Sequence, residues 1–364
     1  MKKDLLQDIS QCLESFKIDG TVQAVSELKK GHIHDTFVSE WSTGKRYIHQ
    51  RVNQGIFSNV TGLMDNIKKV TEHVHAKIAP GAEETVLQLV PTRYGALFTT
   101  DSKGGFWRTY DFVEGTYNVS VCRDESEAFK AAKAFGRFLS QLSDLNPSEL
   151  IETIPRFQST VMRYEQFREA IATNRSGRAS LVKQEIDFCL RHEDKGIVVD
   201  TNMMAGLIPR RVTHGDLKIN NLLFSNKTGE GVCVVDLDTC MPGSLLFDFG
   251  DLALNASSLA AEDEPDLSKV KISTDYLVAT TRGFLEQTFS FITPAEKALM
   301  PDAPAAISLN LGVRFLTDFI NGDIYFKVAR DGHNLDRART RFRVFELLLE
   351  SSEVIKAEVT SAID

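Results

Sequence analysis

The segment Val212-Thr213-His214-Gly215-Asp216-Leu217-Lys218-Ile219-Asn220-Asn221 places a carboxylate, a lysine and an amide close together after a short strand-like stretch. Apolar residues 221–224 then lead through a turn-like run at 225–231 into residues 232–235, which read as a strand that ends at Asp236. An aspartate after a strand is most often a turn former or a helix cap. These residue types in this order and spacing nevertheless indicate a chemical site.

The chemistry of phosphoryl transfer explains the combination. Transfer from ATP needs a carboxylate beside the acceptor hydroxyl, a cation at the γ-phosphate and oxygen ligands for Mg²⁺. Asp216 and Asn221 are separated by the interval between the base and the Mg²⁺-binding asparagine of the protein-kinase signature. We therefore predict that Asp216 is the catalytic base and that Lys218 acts on the γ-phosphate. Asn221 and Asp236 are the predicted Mg²⁺ ligands.

Three nearby features are interpreted as structural. The tripeptide Asp248-Phe249-Gly250 copies a kinase metal motif but lies well past Asn221 and outside the strand, so we do not assign it to the metal. His214 is expected to tie the loop to the rest of the fold. Gly215 stands where protein kinases usually have Arg, which removes the anchor for control through a phosphorylated activation loop.

The His-Gly-Asp form resembles the aminoglycoside phosphotransferase and choline kinase superfamily of small-molecule kinases. Longer stretches across most of the chain resemble the N-acetylhexosamine 1-kinases within it: Gly31-His32-Ile33, Arg211-Val212-Thr213-His214, Asp236-Leu237-Asp238-Thr239, residues 241–251 and Gly322-Asp323-Ile324-Tyr325-Phe326. The resemblance implies ATP and Mg²⁺ as cofactors and the anomeric hydroxyl of N-acetylglucosamine or N-acetylgalactosamine as the acceptor. It also implies sugar contacts at His32, Arg314 and Tyr325.

Two of the predicted substrate contacts leave alternatives open. Asp238 is predicted to bind the sugar or a second Mg²⁺. Arg314 sits in an otherwise apolar stretch, where a guanidinium needs a carboxylate or a polar ligand. A buried ion pair, with Asp248, Asp251 or Asp318 as partner, is the structural alternative to a sugar contact.

The pattern of strands and helices predicts an α+β chain with a protein-kinase-like bilobal fold. Residues 1–114 would form a small N-lobe with an antiparallel sheet and a helix, and residues 115–364 a larger, mostly helical C-lobe. Strands are predicted at 21–28, 35–39, 47–52, 85–90 and 105–113. Helices are predicted at 5–16, 60–77, 125–142, 164–172, 180–192, 275–287, 294–300, 306–320 and 335–358.

Nucleotide contacts are predicted from the N-lobe and from Lys218. The turn that contains Lys30 and Gly31 could cover the phosphates through backbone N–H groups and charge, although a solvated basic turn fits equally well. Gln50 is predicted to occupy the strand position where most relatives carry a phosphate-binding Lys, which leaves Lys29, Lys30 or Arg51 as possible substitutes for that cation. Arg51 is the weakest of these candidates, because it points to the opposite face of a regular strand. Val113 lies just before the predicted hinge, whose backbone would bind the adenine.

Composition narrows the class of partner. The net charge of −8 argues against broad binding of nucleic acid or of an anionic membrane. Neither a signal peptide nor a membrane span is apparent, and the five scattered cysteines suit free thiols in a reducing cytoplasm. We therefore expect a cytoplasmic enzyme whose partners are ATP and a sugar, with no protein partner evident.

Two competing functions stay open. A kinase of another small alcohol, such as choline, homoserine, methylthioribose or an aminoglycoside, would share the catalytic loop but not the set of His32, Arg314 and Tyr325. A non-catalytic nucleotide-binding pseudokinase is favoured slightly by Gln50. The intact Asp216, with both metal ligands, opposes that second alternative.

Overall fold

The computed structural model describes residue 9 and residues 12–28 and 33–362. A five-stranded antiparallel sheet occupies the N-terminal part, in the order β1-β2-β3-β5-β4. Its strands are β1 (Val22–Glu27), β2 (Asp35–Trp41), β3 (Arg46–Arg51), β4 (Thr99–Thr100) and β5 (Phe106–Asp111).

Strand alternation gives this sheet two different faces. One face buries an aromatic cluster that includes Phe37, Tyr47 and Trp107. On the other face, Gln50 of β3 lies directly opposite Arg108 of β5 in the strand register. The register therefore brings a polar pair to the side that faces the rest of the molecule.

Helix α1 (Val60–His75) follows the third strand and begins at Asn59, whose side chain accepts a hydrogen bond from the Gly62 backbone N–H. Its apolar side is buried against the main core. Asn66, also buried, donates to the backbone oxygens of Ile151 and Cys240. The helix is thereby tied to the segment that follows Asp236.

Two small sheets lie on either side of the predicted catalytic loop, residues 214–221. β6 (Thr116–Tyr117), β8 (Leu222–Ser225) and β9 (Gly231–Val234) form one in the order β6-β8-β9, and β7 (Arg211–Thr213) pairs with β10 (Met241–Gly243) in the other. The loop therefore starts from one short sheet at β7 and enters the other at β8, so both of its ends are anchored.

Helices make up most of the remainder. They are α2 (Glu125–Gln141), α3 (Thr160–Thr173), α4 (Lys183–Arg191), α5 (Glu193–Gly196), α6 (Val198–Met204), α7 (Leu245–Ser257), α8 (Thr274–Thr288), α9 (Pro294–Leu299), α10 (Ala303–Asn321), α11 (His333–Glu350) and α12 (Ser352–Ser361). α2 packs on α8, and α10 packs on α3, α7 and α11. Within residues 12–28 and 33–362, none of these helices combines the length and apolar composition needed to cross a bilayer.

The predicted fold class is confirmed: antiparallel strands come first and a helical part follows. The predicted strand at 85–90 is wrong, because Thr85 bonds to Val232 of β9 while Val90 bonds to Thr109 of β5, so the segment crosses between two sheets. The predicted helix at 335–358 is interrupted at Ser351. Most of the predicted opening helix lies outside the described residues, and the lobe boundary after residue 114 stays a prediction.

Candidate active site

The catalytic loop is held at its start by a carboxylate from helix α7. The two oxygens of Asp248 accept hydrogen bonds from the backbone N–H groups of His214 and Gly215, each at 2.8 Å. Burial, with the nearby carboxylates of Asp251 and Asp216, raises the pKa of Asp248 to about 7 although the two N–H groups oppose the shift. The Asp-Phe-Gly tripeptide thus lies on a helix that supports the loop backbone.

His214 is enclosed and bonded on both ring nitrogens. Nδ1 lies 3.3 Å from the Asp216 backbone nitrogen, and Nε2 lies 3.0 Å from the Val235 oxygen. Burial lowers the pKa of His214. A neutral ring that accepts at Nδ1 donates at Nε2, so this histidine joins the catalytic loop to the strand that leads to Asp236.

Gly215 is required by both its backbone and its surroundings. Its φ of +84° lies in the region that favours glycine, and a Cβ there would lie 2.8 Å from the Thr239 backbone oxygen. An Arg, as in protein kinases, would collide with the turn after Asp236.

The side chains of the loop meet at one point. Lys218 Nζ lies 2.6 Å from Asp216 Oδ1. Asn221 Nδ2 donates to the Asp216 backbone oxygen at 2.9 Å and to its Oδ2 at 3.1 Å. Although burial opposes it, the Asp216 and Asp251 carboxylates raise the pKa of Lys218. The loop thus sets an ammonium group and an amide in contact with one carboxylate, and Asp251 is a neighbour of Lys218 that sequence reasoning missed.

Asp236 follows strand β9 in a left-handed conformation, with a φ of +63°. Burial, and next the carboxylates of Asp238 and Asp216, raise its pKa to about 7. A cation beside such a carboxyl group would stabilise its charged form and lower its pKa.

The donor chemistry at this point fits Mg²⁺. The amide nitrogen of Asn221 is used by Asp216, which leaves Asn221 Oδ1 available as an oxygen ligand. In the part of the chain that the structure describes, no group of three or more His, Cys, Asp or Glu residues could hold a metal. Nucleotide-bound Mg²⁺ is usually held by one or two carboxylates together with substrate phosphates, so Asn221 and Asp236 stay the predicted ligands.

Asp238 is occupied by a cation from the sheet. Arg108 Nη1 lies 2.6 Å from Asp238 Oδ1 and Nη2 lies 2.7 Å from Oδ2, and both side chains are almost fully buried. His34 Nε2 lies 3.5 Å from the same Oδ2. Burial alone would raise the pKa of Asp238, but the guanidinium holds it below its usual range. Arg108 thus binds both carboxylate oxygens of Asp238, and the contact of Asp238 with the sugar or a second Mg²⁺ stays a prediction.

The predicted nucleotide contacts meet different outcomes. Gln50 Oε1 accepts from Arg108 Nε at 3.0 Å and Nη2 at 2.7 Å. Arg51 lies on the other face, where its Nε is 3.3 Å from Asp101, so it is wrong as the substitute cation. The backbone oxygen of Val113 accepts a hydrogen bond from Thr116 Oγ1 at 2.8 Å. The contact of Val113 with adenine stays a prediction. Lys29, Lys30, Gly31 and His32 lie outside the described residues.

Sequence reasoning missed Arg108. The one available signal was an arginine within the otherwise aromatic and β-prone run Phe106-Trp107-Arg108-Thr109-Tyr110. An arginine between such neighbours is expected to be buried within the sheet, and a buried arginine requires a partner.

A cavity of about 340 Å³ lies between helices α3 and α10 and the segment after α10. It brings together two of the predicted sugar contacts, Arg314 and Tyr325. The side chains around it are Arg163, Gln166, Glu169, Ala170, Thr173, Arg175, Arg314, Thr317, Asp318, Asn321, Ile324, Tyr325 and Phe326. Asp216, Lys218, Asn221 and Asp236 do not line it.

Several arginine side chains line the cavity, and among the described residues they form no ion pair with a carboxylate. Arg314 stacks 5.5 Å from the Phe326 ring and forms no ion pair within the described residues. Arg163 bonds to neutral oxygens of Gln166 and Phe157, and burial followed by the charge of Arg314 lowers its pKa to about 10. Asp318, a wall residue proposed as a partner for Arg314, instead accepts from the backbone N–H groups of 324–326.

Comparison with known proteins agrees with this geometry. A model of the phosphotransferase enzyme family matches residues 24–276. An aminoglycoside phosphotransferase from Alicyclobacillus acidocaldarius is 13% identical with a TM-score of 0.62, covering 97% of this chain and 95% of that chain. A choline kinase from Cryptosporidium parvum is 14% identical with a TM-score of 0.57, covering 100% of both chains.

A third similar structure is an amicoumacin kinase in complex with AMP-PNP and Ca²⁺, 15% identical with a TM-score of 0.58, covering 95% of this chain and 94% of that chain. At these identities the likeness establishes the fold. The family model extends over most of the chain and through the whole catalytic loop. The chain therefore belongs to the phosphotransferase enzyme family, and it shares its fold with an aminoglycoside phosphotransferase and a choline kinase.

Proposed function

We propose that the protein is an ATP-dependent sugar kinase that phosphorylates the anomeric hydroxyl of N-acetylglucosamine or N-acetylgalactosamine. The contact of Asp216 with Lys218 and Asn221 carries the phosphoryl-transfer part of this proposal. The arginine-lined cavity that contains Arg314 and Tyr325 supports a sugar acceptor.

In the proposed reaction, Asp216 accepts a hydrogen bond from the acceptor hydroxyl and takes its proton as the new phosphate ester bond forms. The bond between the γ-phosphorus and the oxygen that bridges to the β-phosphate breaks, and ADP leaves. Lys218, held beside Asp216 by an ion pair, offsets negative charge on the transferred group. The surrounding structure fixes both groups before the substrate binds, which lowers the entropic cost of reaching the transition state.

Asn221 and Asp236 would hold Mg²⁺. The ion would supply positive charge that offsets the charge developing on the phosphates. The two residues would supply oxygen ligands, one from the loop and one from the position after β9, and Asp216 fixes the amide of Asn221.

The remaining nucleotide contacts are proposed from the sheet side. The turn with Lys30 and Gly31 would lie over the phosphates, and the backbone near Val113 would bind adenine. Gln50 serves these contacts indirectly, because its side-chain oxygen is bound to Arg108.

Charge in the cavity favours a neutral polyhydroxylated acceptor over a cationic one. Arg163, Arg175 and Arg314 line the same space and outnumber the carboxylates of Glu169 and Asp318, of which Asp318 is bound by backbone N–H groups. Guanidinium groups donate to hydroxyl and carbonyl oxygens, whereas they repel the ammonium groups of choline or an aminoglycoside. The volume of about 340 Å³ lies in the range of small-molecule sites.

The test is turnover of ATP with Mg²⁺ against a panel of free sugars, amino alcohols and aminoglycosides, with phosphorus NMR of each product. We expect a sugar 1-phosphate from an N-acetylhexosamine, and none from the Asp216→Asn variant in parallel. Turnover with an amino alcohol or aminoglycoside alone would overturn the sugar assignment while leaving the phosphoryl-transfer site in place. ATP binding without turnover of any compound would favour the pseudokinase.

A further inference from the structure

At the predicted positions, this chain does not have the pair of side chains that links the sheet of a protein kinase to its phosphate site. Protein kinases pair a strand lysine with a helix glutamate, and that pair must be in place for activity. In this chain the strand position is Gln50. Helix α1 presents Asn66, which bonds to backbone oxygens of Ile151 and Cys240.

Arg108 forms a different link from the neighbouring strand. Because it lies opposite Gln50 in the register, its Nε and Nη2 reach Gln50 Oε1, while Nη1 and Nη2 reach the two oxygens of Asp238. The side chain is 1% exposed. Four donor contacts leave little of the guanidinium for a nucleotide, so Arg108 acts through the groups that it holds.

Arg108 binds Asp238, which lies two positions after the proposed metal ligand Asp236. Asp238 lies in the short helical turn Leu237–Thr239 that begins directly after Asp236, and its backbone oxygen accepts from Thr153 Oγ1 at 2.7 Å. Asp236 itself has a left-handed backbone, a conformation that persists in a non-glycine residue only when its surroundings fix it. The bond from Arg108 to Asp238 is one of the constraints that fix this turn.

We infer that Arg108 is a positioning residue for the nucleotide-bound metal: by binding Asp238, it holds the turn so that Asp236 is presented. The inference rests on the proposed metal site at Asn221 and Asp236 and is independent of the acceptor. It gives β5, rather than β3, the task of joining the sheet to the phosphate site.

Binding of ADP by titration calorimetry, with and without Mg²⁺, tests this inference without any acceptor. In wild type we expect Mg²⁺ to tighten ADP binding. In Arg108→Lys, which keeps the charge but loses the two-point contact, we expect the ratio of the Kd values without and with Mg²⁺ to fall by about tenfold or more. Binding of metal-free ADP should change by less than about threefold, because Arg108 does not contact the nucleotide.

Arg211→Lys is the matched control, because Arg211 also forms a two-point pair with a buried carboxylate, Glu296, at 2.8 Å for each bond. It should lower the melting temperature as Arg108→Lys does but leave the Mg²⁺ ratio unchanged. If Arg108→Lys does not fold, ADP binding by Gln50→Leu is measured in its place. This substitution removes the support on the sheet side alone, and we expect a fall in the same ratio of about threefold.

Three results would overturn the inference. An unchanged Mg²⁺ ratio in folded Arg108→Lys would make the pair purely structural. An equal loss of metal-free ADP binding would mean that Arg108 contacts the nucleotide itself. A wild-type ratio near one would remove the metal site on which the inference rests, whereas failure of the sugar panel alone would not affect it.

Discussion

In the catalytic loop, Asp216, Lys218 and Asn221 are close in sequence and their side chains touch. In the cavity between α3 and α10, Arg163 and Arg314 come from helices far apart in the chain and share a space without sharing a partner. Charges in the loop are paired before any substrate arrives. Among the described residues, Arg163 and Arg314 have no carboxylate partner, which is favourable only if a ligand supplies the missing acceptors.

This difference separates two tasks. A group that performs chemistry must be held in one geometry, so its neighbours satisfy it internally. A group that selects a substrate keeps its hydrogen-bonding capacity for that substrate, at some cost to the stability of the empty protein. Substitutions in the loop should therefore change kcat, whereas substitutions in the cavity should change the acceptor KM.

The largest expected effect is in the loop. Asp216→Asn should lower kcat by about 10³-fold, because the hydroxyl loses its proton acceptor. ATP binding should change little, since Asn can still contact Lys218 and Asn221. Steady-state turnover and ATP calorimetry measure the two properties. Wild-type turnover in this variant would contradict the role of base.

Lys218→Met should come next, with a fall in kcat of about 10²-fold and little change in the acceptor KM. The reason is loss of the cation beside the transferred group, while the apolar stem is kept. Asp251→Asn is the control, because Asp251 influences the lysine without replacing it, and a smaller fall is expected. If Lys218→Met raised only the acceptor KM, the lysine would belong with the cavity and the contrast would be wrong.

Arg314→Gln should raise the acceptor KM about tenfold and leave kcat and the KM for ATP within about twofold, because one charge-assisted hydrogen bond is lost. Arg343→Gln is the matched control, since Arg343 pairs with Glu346 on the surface of α11. Kinetics over a range of acceptor concentrations give both parameters. A fall in kcat alone would show that Arg314 serves the chemical step.

The smallest expected effect is on the empty protein. Arg163→Gln should raise the free energy of unfolding by about 0.5 kcal/mol, because a partly buried charge next to Arg314 is removed. Arg168→Gln on the same helix removes a residue that pairs with Glu193, and it should not stabilise. Urea unfolding without ligand measures both. Destabilisation by Arg163→Gln would mean that its bonds to Gln166 and Phe157 outweigh the repulsion.

Prediction from the sequence succeeded best where one element contained the whole pattern. Helix α1 and the strands β1 to β3 follow from periodicity, and the contact of Asp216 with Asn221 follows from the loop spacing. The same reasoning failed at residues 85–90, since an apolar run does not reveal that its two ends bond to different sheets. It also missed Arg108, the partner of Asp238, because that arginine comes from a distant strand.

The sequence by itself determined the mixed fold, the order of the catalytic residues and the family, because these depend on local backbone preference and on spacing within one loop. Only the tertiary structure decided that Arg108 takes Asp238, that Gln50 supports Arg108 and that Arg163 faces Arg314. Each of those contacts depends on strand register or helix packing between remote segments. A partner chosen in this way is fixed by the whole fold, and no single stretch of sequence contains it.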